Sequence, residues 1–199
     1  MTKKVGEVIS SSTTSFTAQC IKQDDLNLPK APYFGSFVIC KSEDLNFDTI
    51  GIVSEIISGS IDSLHIPTAM NLSREELRLQ QPQIFDLLKT EFNCITVGYL
   101  EDGKVYQYIP PHPPQIHDFV YSPDKDIIIK ITQKLEYLRT LLNYSSSLSD
   151  ELIAANIRYC YKLRGLDRNF IINVGREISN LLKDNYDKLS SILIKIKPE

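Results

Sequence analysis

The hydrophobic period of this chain changes once, near residue 122, and that change limits the folds it can adopt. Before it, short runs at residues 4–10, 16–21, 34–41 and 49–57 are β-branched or alternate between apolar and polar residues, as strands do. After it, apolar residues recur at spacings of three and four, which is typical of helices with one buried face. Strands followed by helices predict an α+β fold.

The change of period also predicts two domains, a small β-barrel at residues 1–121 and an all-α domain at residues 122–199. Gly35 and Gly51 stand near strand starts, where small barrels bend sharply. We expect about three helices in the second domain, because two break signals divide its apolar pattern.

A short helical insertion is predicted inside the barrel, at residues 73–92. Ser73 and Glu76 have the Ser-x-x-Glu spacing of a capping box, and Pro82 divides two apolar stripes. The strand pattern then returns at residues 94–100, and Asp-Gly before the run 105–109 indicates a β-hairpin.

Helix signals divide the second domain. Ser122 followed by Pro123 predicts the start of the first helix. Gly165 is expected to end the second, with basic residues in its last turn. The third is predicted to begin at Asp167 and to reach Lys195, with a weak point at residues 184–187.

Four prolines lie within residues 110–114, Pro-Pro-His-Pro-Pro. This composition forces an extended polyproline conformation with few backbone donors. We interpret the segment as a stiff strap between the two layers. The alternative is a ligand for an aromatic groove, because the spacing also satisfies Pro-x-x-Pro.

Charge is distributed unevenly along the chain. Residues 1–121 contain 9 Lys/Arg and 15 Asp/Glu, a net charge of −6, whereas residues 122–199 contain 13 and 10, a net charge of +3. An acidic surface repels phosphate backbones. The barrel is therefore a poor candidate for nucleic-acid binding, and any such contact is expected on the helices.

One segment approaches a phosphate-binding motif. Gly98, Gly103 and Lys104 match Gly-x4-Gly-Lys, but Val105 stands where the motif requires Ser or Thr. A strand-like run follows in place of the helix that would meet the phosphates. The hairpin interpretation is favoured.

The cysteines and histidines form no recognisable catalytic or metal-binding pattern in the sequence. Cys20, Cys40, Cys94 and Cys160 lie at wide, unrelated spacings, so we interpret them as small buried hydrophobes. His65, His112 and His117 lack metal-ligand spacing. No nucleophile-and-base arrangement is recognisable, so the sequence predicts neither enzyme activity nor a cofactor or metal site.

The best candidate site for a partner is a cluster of cations near the end of the second helix and in the third. It could bind a phosphate backbone or an acidic protein face; the alternative is a solvated helix face whose charges complement the helix dipole. The candidate residues are Arg158, Lys162, Arg164, Arg168 and Arg176.

The N-terminal residues lack the apolar core of a secretory signal, and no run approaches the ~18 apolar residues of a membrane helix. A cytoplasmic protein without membrane insertion is expected.

Three barrel segments carry a resemblance to a known family, and they are residues 5–17, 34–38 and 50–56. They resemble the HAS-barrel family, whose name joins the HerA-type DNA-translocating ATPases and ATP synthase. Glu-Glu-Leu-Arg from Glu75, Gln-Pro-Gln-Ile-Phe from Gln81 and the proline strap are also similar to short bacterial members of cyanobacterial type. The resemblance implies an assembly element that does no chemistry. No ATPase motif follows it, so translocation is not implied.

Two functions follow as expectations. The first is a non-catalytic assembly or protein-interaction module, with a protein partner or self-association. The second is an accessory factor of a DNA-processing or translocating ATPase, which would bind nucleic acid through the basic helical end.

Overall fold

A computed structural model of the chain describes residues 3–22, 29–61, 67–144 and 148–197. The strands are β1 (Lys3–Ser11), β2 (Ser15–Cys20), β3 (Phe37–Lys41), β4 (Phe47–Ser60), β5 (Leu88–Glu101), β6 (Lys104–Tyr106) and β7 (Phe119–Ser122). Six of them close an antiparallel barrel in the order β1-β2-β5-β4-β3-β7 and back to β1, and β6 pairs with β5 outside this ring.

The helices lie mostly after the barrel, so the α+β class is confirmed. They are α1 (Arg74–Gln80), α2 (Lys125–Ile131), α3 (Tyr137–Leu142), α4 (Ser149–Leu163), α5 (Arg168–Leu181) and α6 (Tyr186–Ile196), with a 3-10 helix at Pro82–Leu87. In the part of the chain that the structure describes, five α-helices follow the barrel where about three were expected. None of the described helices has the length and apolarity needed to cross a membrane.

The barrel interior is a small apolar core made by alternate residues of the strands. Its buried members are Val5, Val8, Phe16, Ala18, Cys20, Val38, Cys40, Val53, Phe92, Cys94 and Val120. All four cysteines are free and buried, and burial raises the pKa of Cys20 to about 11. Their interpretation as small hydrophobes is confirmed.

A second, larger core joins the outer wall of the barrel to the helices. From the wall it takes Phe37 of β3, Ile50 and Ile52 of β4, and Ile95 and Val97 of β5. The helices contribute their buried stripes, which include Tyr137, Leu141, Ile153, Ile157, Val174 and Ile192. The helices therefore pack against one face of the β3-β4-β5 wall, while the other face of the same strands lines the barrel.

Two glycines permit close approaches that the fold needs. Gly35 has φ +79°, and a Cβ there would lie 2.7 Å from the Cβ of Ala155 on α4. A Cβ at Gly98 would collide with the carbonyl oxygen of Tyr106, on the neighbouring strand β6. Only glycine fits at such positions without displacement of the backbone.

The segment from Gly98 to Lys104 is a hairpin, as predicted. Glu101 of β5 faces Lys104 of β6, and the turn places Asp102 at φ 48° and Gly103 at φ 70°. Positive φ at both central residues is typical of a tight hairpin turn. The strand after the turn also rules out the helix that a phosphate-binding loop requires.

The predicted insertion is shorter than residues 73–92. Its capping box is confirmed, because Ser73 Oγ accepts from the Glu76 amide at 3.2 Å and Glu76 Oε2 accepts from the Ser73 amide at 2.7 Å. The expected second helical stripe is in part strand, since β5 begins at Leu88 and its first residue faces Ser60 of β4. Pairing with β4 takes residues 88–92 into the sheet.

We expect Ser73→Ala to destabilise α1 locally by about 1 kcal/mol. Because α1 buries no residue, the global free energy of unfolding should hardly change. Hydrogen exchange of the Glu76 and Leu77 amides is the measurement, and about a fivefold acceleration is expected. Ser73→Asp keeps an N-cap acceptor and should leave exchange unchanged. An equal acceleration in both variants would contradict the prediction.

The proline strap ends in a strand that the sequence pattern did not indicate. Ser11 Oγ donates to the carbonyl of Pro114 at 2.6 Å, and the His117 amide donates to the carbonyl of Val8 at 2.9 Å. The strap thus lies along β1 and leads into β7, which closes the barrel between β1 and β3. Ser122 belongs to β7, so its prediction as a helix N-cap is wrong; Asp124 caps α2 instead.

The predicted first helix is interrupted between α2 and α3. The side chain of Gln107 donates to the carbonyls of Ile131 at 2.7 Å and Lys134 at 3.0 Å, and it accepts from the Tyr137 amide at 2.9 Å. One side chain thus satisfies backbone groups at the end of one helix and the start of the next, which stabilises the break.

Candidate functional site

The five cations that were predicted to form one site do not all lie together in the structure. Arg158 and Lys162 lie one turn apart on the exposed face of α4, and Arg164 follows the end of this helix. Arg168 and Arg176 are exposed on α5. Arg158 and Lys162 line a common groove, and the other three do not line it.

Arg164 is used within the fold. Its Nη1 donates to Thr132 Oγ1 at 2.8 Å, its Nη2 lies 3.3 Å from Asp167 Oδ2, and its guanidinium lies 4.8 Å from the centre of the Phe170 ring. Only 18% of the side chain is exposed. A hydrogen bond from the Phe170 amide, together with the contacts from Arg164, lowers the pKa of Asp167. Arg164 therefore ties the end of α4 to α2 and α5.

The groove that Arg158 and Lys162 line lies between the C-terminal parts of α4 and α6, and we call it the basic groove. Its volume is about 920 Å³. Four of its side chains are cations and the others are mainly apolar. It is lined by Arg158, Tyr161, Lys162, Leu166, Ile194, Lys195, Ile196 and Lys197.

Helical periodicity explains which side chains reach the groove. On α4, Ile157 and Cys160 are buried in the helical core, so Arg158 and Lys162 face outward. On α6, Ile192 and Ile196 are buried, which leaves Ile194 on the outer face with 72% of its surface exposed. Because the apolar stripes of α4 and α6 are buried in the helical core, the cations and Ile194 on their opposite faces line the groove.

Two contacts fix the groove walls. Arg158 Nη1 donates to the carbonyl of Lys195 at 2.8 Å, and Lys195 Nζ lies 2.7 Å from Glu151 Oε1. A cation near the last carbonyls of α6 also complements the helix dipole. The hydrogen bond from Lys195, together with the charges of Lys195 and Arg158, lowers the pKa of Glu151. The end of α6 is therefore held against α4.

Lys162 and Lys197 differ from Arg158 and Lys195, which are held by contacts within the fold. Among the residues that the structure describes, neither has a hydrogen-bond or ion-pair partner. Their ammonium groups are the positive charges of the groove that no described carboxylate neutralises. They are accordingly the positions at which an anionic group of a partner would add an ion pair without displacing an existing one.

Leu166 forms one edge of the groove in an unusual conformation. The Leu166 amide donates to the carbonyl of Tyr161 and the Gly165 amide donates to that of Lys162, the Schellman pattern that ends α4. Gly165 was expected to stop this helix, and it does so at φ +78°. Leu166 itself has φ 62° and is 59% exposed. Left-handed backbone is rare for leucine, and here it holds an apolar side chain at the surface.

A smaller depression lies on the other side of Arg158 and Lys162. It has a volume of about 440 Å³ and is also lined by Tyr33, Phe34, Ala155, Tyr159 and Leu163. Tyr33 is 69% exposed. Arg158 and Lys162 thus form a cationic ridge with apolar and aromatic side chains on both sides.

The sequence pattern missed the contribution of α6 to this site. Lys195 and Lys197 alternate with Ile194 and Ile196 at the end of the chain, and this alternation was the available signal. The described residues contain no group of three His, Cys, Asp or Glu side chains placed to hold a metal ion. His117 is exposed, with Nδ1 2.6 Å from Glu7 Oε1, and His65 lies outside the described residues.

Comparisons with protein-family models and with curated proteins found no match to this chain. The closed barrel is compatible with the barrel domain that the HAS-barrel resemblance implies. The family itself stays a prediction.

Proposed function

We propose that the protein is a non-catalytic interaction module in which a HAS-type barrel supports the helices and the basic groove binds an acidic protein segment. The observation that carries the proposal is the composition of this groove. Lys162 and Lys197 are unpaired among the described residues, and they border the exposed side chains of Ile194 and Leu166. A segment with both carboxylates and aliphatic side chains would match these features.

A protein partner fits the groove better than a nucleic acid. Lys195 is already paired with Glu151, and Arg158 is bonded to a backbone carbonyl, so few cations remain for phosphates. Proteins that bind duplex DNA commonly neutralise about 6–10 phosphates. Exposed aliphatic side chains such as Ile194 add contact area with a protein and little with a phosphate backbone. Nucleic-acid binding stays the second candidate, because Arg168 and Arg176 add exposed cations on α5.

The test uses two labelled peptides of identical composition. One has Glu and Leu spaced to give a helix with an acidic face and an apolar face, and the other is a scrambled order. Fluorescence anisotropy at low salt should show the amphipathic peptide bound more tightly. We expect Lys162→Glu/Lys197→Glu to weaken its binding at least tenfold, which corresponds to ~1.4 kcal/mol.

The matched control is Arg176→Glu/Lys183→Glu, which makes the same change of net charge at exposed positions outside the groove. It should alter the affinity less than threefold. Binding of neither peptide at low salt, or equal losses in the two variants, would contradict the proposal. A duplex DNA probe that binds more tightly, and that loses affinity on Arg168→Glu/Arg176→Glu, would favour the nucleic-acid function.

A further inference from the structure

The loop between β3 and β4 has the carboxylates and the aliphatic side chain that we expect of a segment bound in the basic groove. Residues 42–46 are Ser-Glu-Asp-Leu-Asn, and we call them the acidic loop. Glu43 and Asp44 are exposed, and Leu45 is partly exposed. The loop combines two carboxylates with an aliphatic side chain and contains no cation. The turn at residues 101–104 also has two carboxylates, but it includes the cation Lys104. Helix α1 has two carboxylates as well, together with two arginines.

The acidic loop lies between two depressions. On one side, Ser42, Glu43 and Asp44 line a depression of about 790 Å³. On the other, Leu45 and Asn46 line a second depression of about 420 Å³. A ridge between two depressions can enter a groove, whereas two concave surfaces cannot fit one another.

The charge around the acidic loop is predominantly negative. The larger depression is also lined by Glu7, Asp48 and Asp118, with Lys41 and His117 as the basic residues. His117 contacts Glu7 at 2.6 Å, and Lys41 Nζ lies 5.1 Å from the centre of the Tyr121 ring. Among the described residues neither Glu43 nor Asp44 has an ion-pair partner. Burial is the main cause that raises the pKa of Asp48, and the nearby Asp118 adds to it, whereas Lys41 and a backbone hydrogen bond from Ser42 oppose it.

We propose that the acidic loop of a second copy of this chain occupies the basic groove. In this arrangement Glu43 and Asp44 face Lys162 and Lys197, and Leu45 contacts Ile194. The inference rests on the proposed function, because it names the acidic segment that the groove binds. No residue lines both the groove and the depressions beside the loop. The contact therefore joins two different surfaces. If each copy offers its loop to one neighbour and its groove to another, such head-to-tail contacts produce rings or filaments.

The experiment exchanges the charges of the two surfaces. Sedimentation equilibrium at low salt should show the wild-type chain, 22.7 kDa as a monomer, associating as its concentration rises. The groove variant Lys162→Glu/Lys197→Glu and the loop variant Glu43→Lys/Asp44→Lys should each raise the self-association Kd at least tenfold. The variant with all four substitutions restores opposite charges on the two surfaces, so it should regain association to within about threefold of wild type.

The controls separate this inference from the proposed function. Arg176→Glu/Lys183→Glu should associate like wild type, and circular dichroism confirms that each variant is folded. A monomeric wild-type chain, or a four-substitution variant that does not recover, would overturn the inference. If the wild-type chain is monomeric but still binds the amphipathic peptide through the groove, the proposed function stands and only the self-association inference fails. If neither self-association nor peptide binding depends on Lys162 and Lys197, both fail.

Discussion

Phe37→Ala is expected to lower the free energy of unfolding by about 3–5 kcal/mol, the cost of removing a large aromatic side chain from a packed core. Phe37 is fully buried on β3, and its ring meets that of Tyr137 edge-to-face at a centroid distance of 5.3 Å. It also belongs to the core that joins the barrel wall to the helices. The substitution should therefore weaken both parts of the fold together.

Chemical denaturation followed by circular dichroism and by tyrosine fluorescence measures this loss. The two signals should give coincident transitions in wild type and variant, because the shared core couples strands to helices. Tyr33→Ala, which removes an aromatic side chain that is 69% exposed, is the control and should change stability by less than about 0.5 kcal/mol. Two separate transitions would instead support independent folding of residues 1–121 and 122–199.

The parts of the fold that depend on short-range signals were predictable. The capping box at Ser73 and the Asp-Gly hairpin each involve residues within a few positions of one another, so the sequence pattern contains the whole interaction. Closure of the barrel is different. It depends on distant residues, since Lys4 of β1 pairs with Tyr121 of β7. Strand β7 has only four residues, which is too short for an alternating pattern to predict a strand.

The helix breaks depended on contacts that the helical period does not contain. The interruption between α2 and α3 is stabilised by Gln107, which lies in the chain before the strap. The break between α5 and α6, in contrast, had a local signal at residues 184–187. The structure places it at nearly the same point, with Asn185 accepting from the Lys188 amide at 3.1 Å.

The candidate site was predictable in part for the same reason. Arg158 and Lys162 are one turn apart on a single helix, so a local pattern placed them together. Sequence reasoning could not foresee that Arg164 contacts Thr132 and Asp167, nor that Lys195 and Lys197 lie across the groove from α4. The contact of Arg164 with Thr132 depends on how α2 packs against α4, and the position of Lys195 and Lys197 depends on how α6 packs against α4. Only the folded chain determines this packing.

The largest polar contribution to stability is expected from Asn156, a fully buried residue of α4. Its Nδ2 donates to the carbonyl of Gly35 at 2.9 Å, and its Oδ1 accepts from the Tyr137 hydroxyl at 2.9 Å. Gly35 lies in the turn before β3, so the three residues connect the barrel to two helices. Burial raises the pKa of Tyr137 well above its usual range, which favours the protonated hydroxyl that donates to Asn156.

Asn156→Leu should destabilise the protein by about 2–4 kcal/mol, because it leaves the Gly35 carbonyl and the Tyr137 hydroxyl buried without partners. Urea denaturation gives the value, and Asn180→Leu, an exposed asparagine on α5, is the matched control with an expected change below about 0.5 kcal/mol. Tyr137→Phe completes a double-mutant cycle. The loss in the double variant should be smaller than the sum of the two single losses by about 1 kcal/mol, since each substitution removes the same hydrogen bond. Additive losses would show that Asn156 and Tyr137 act independently, and would contradict a network that holds the helices on the barrel.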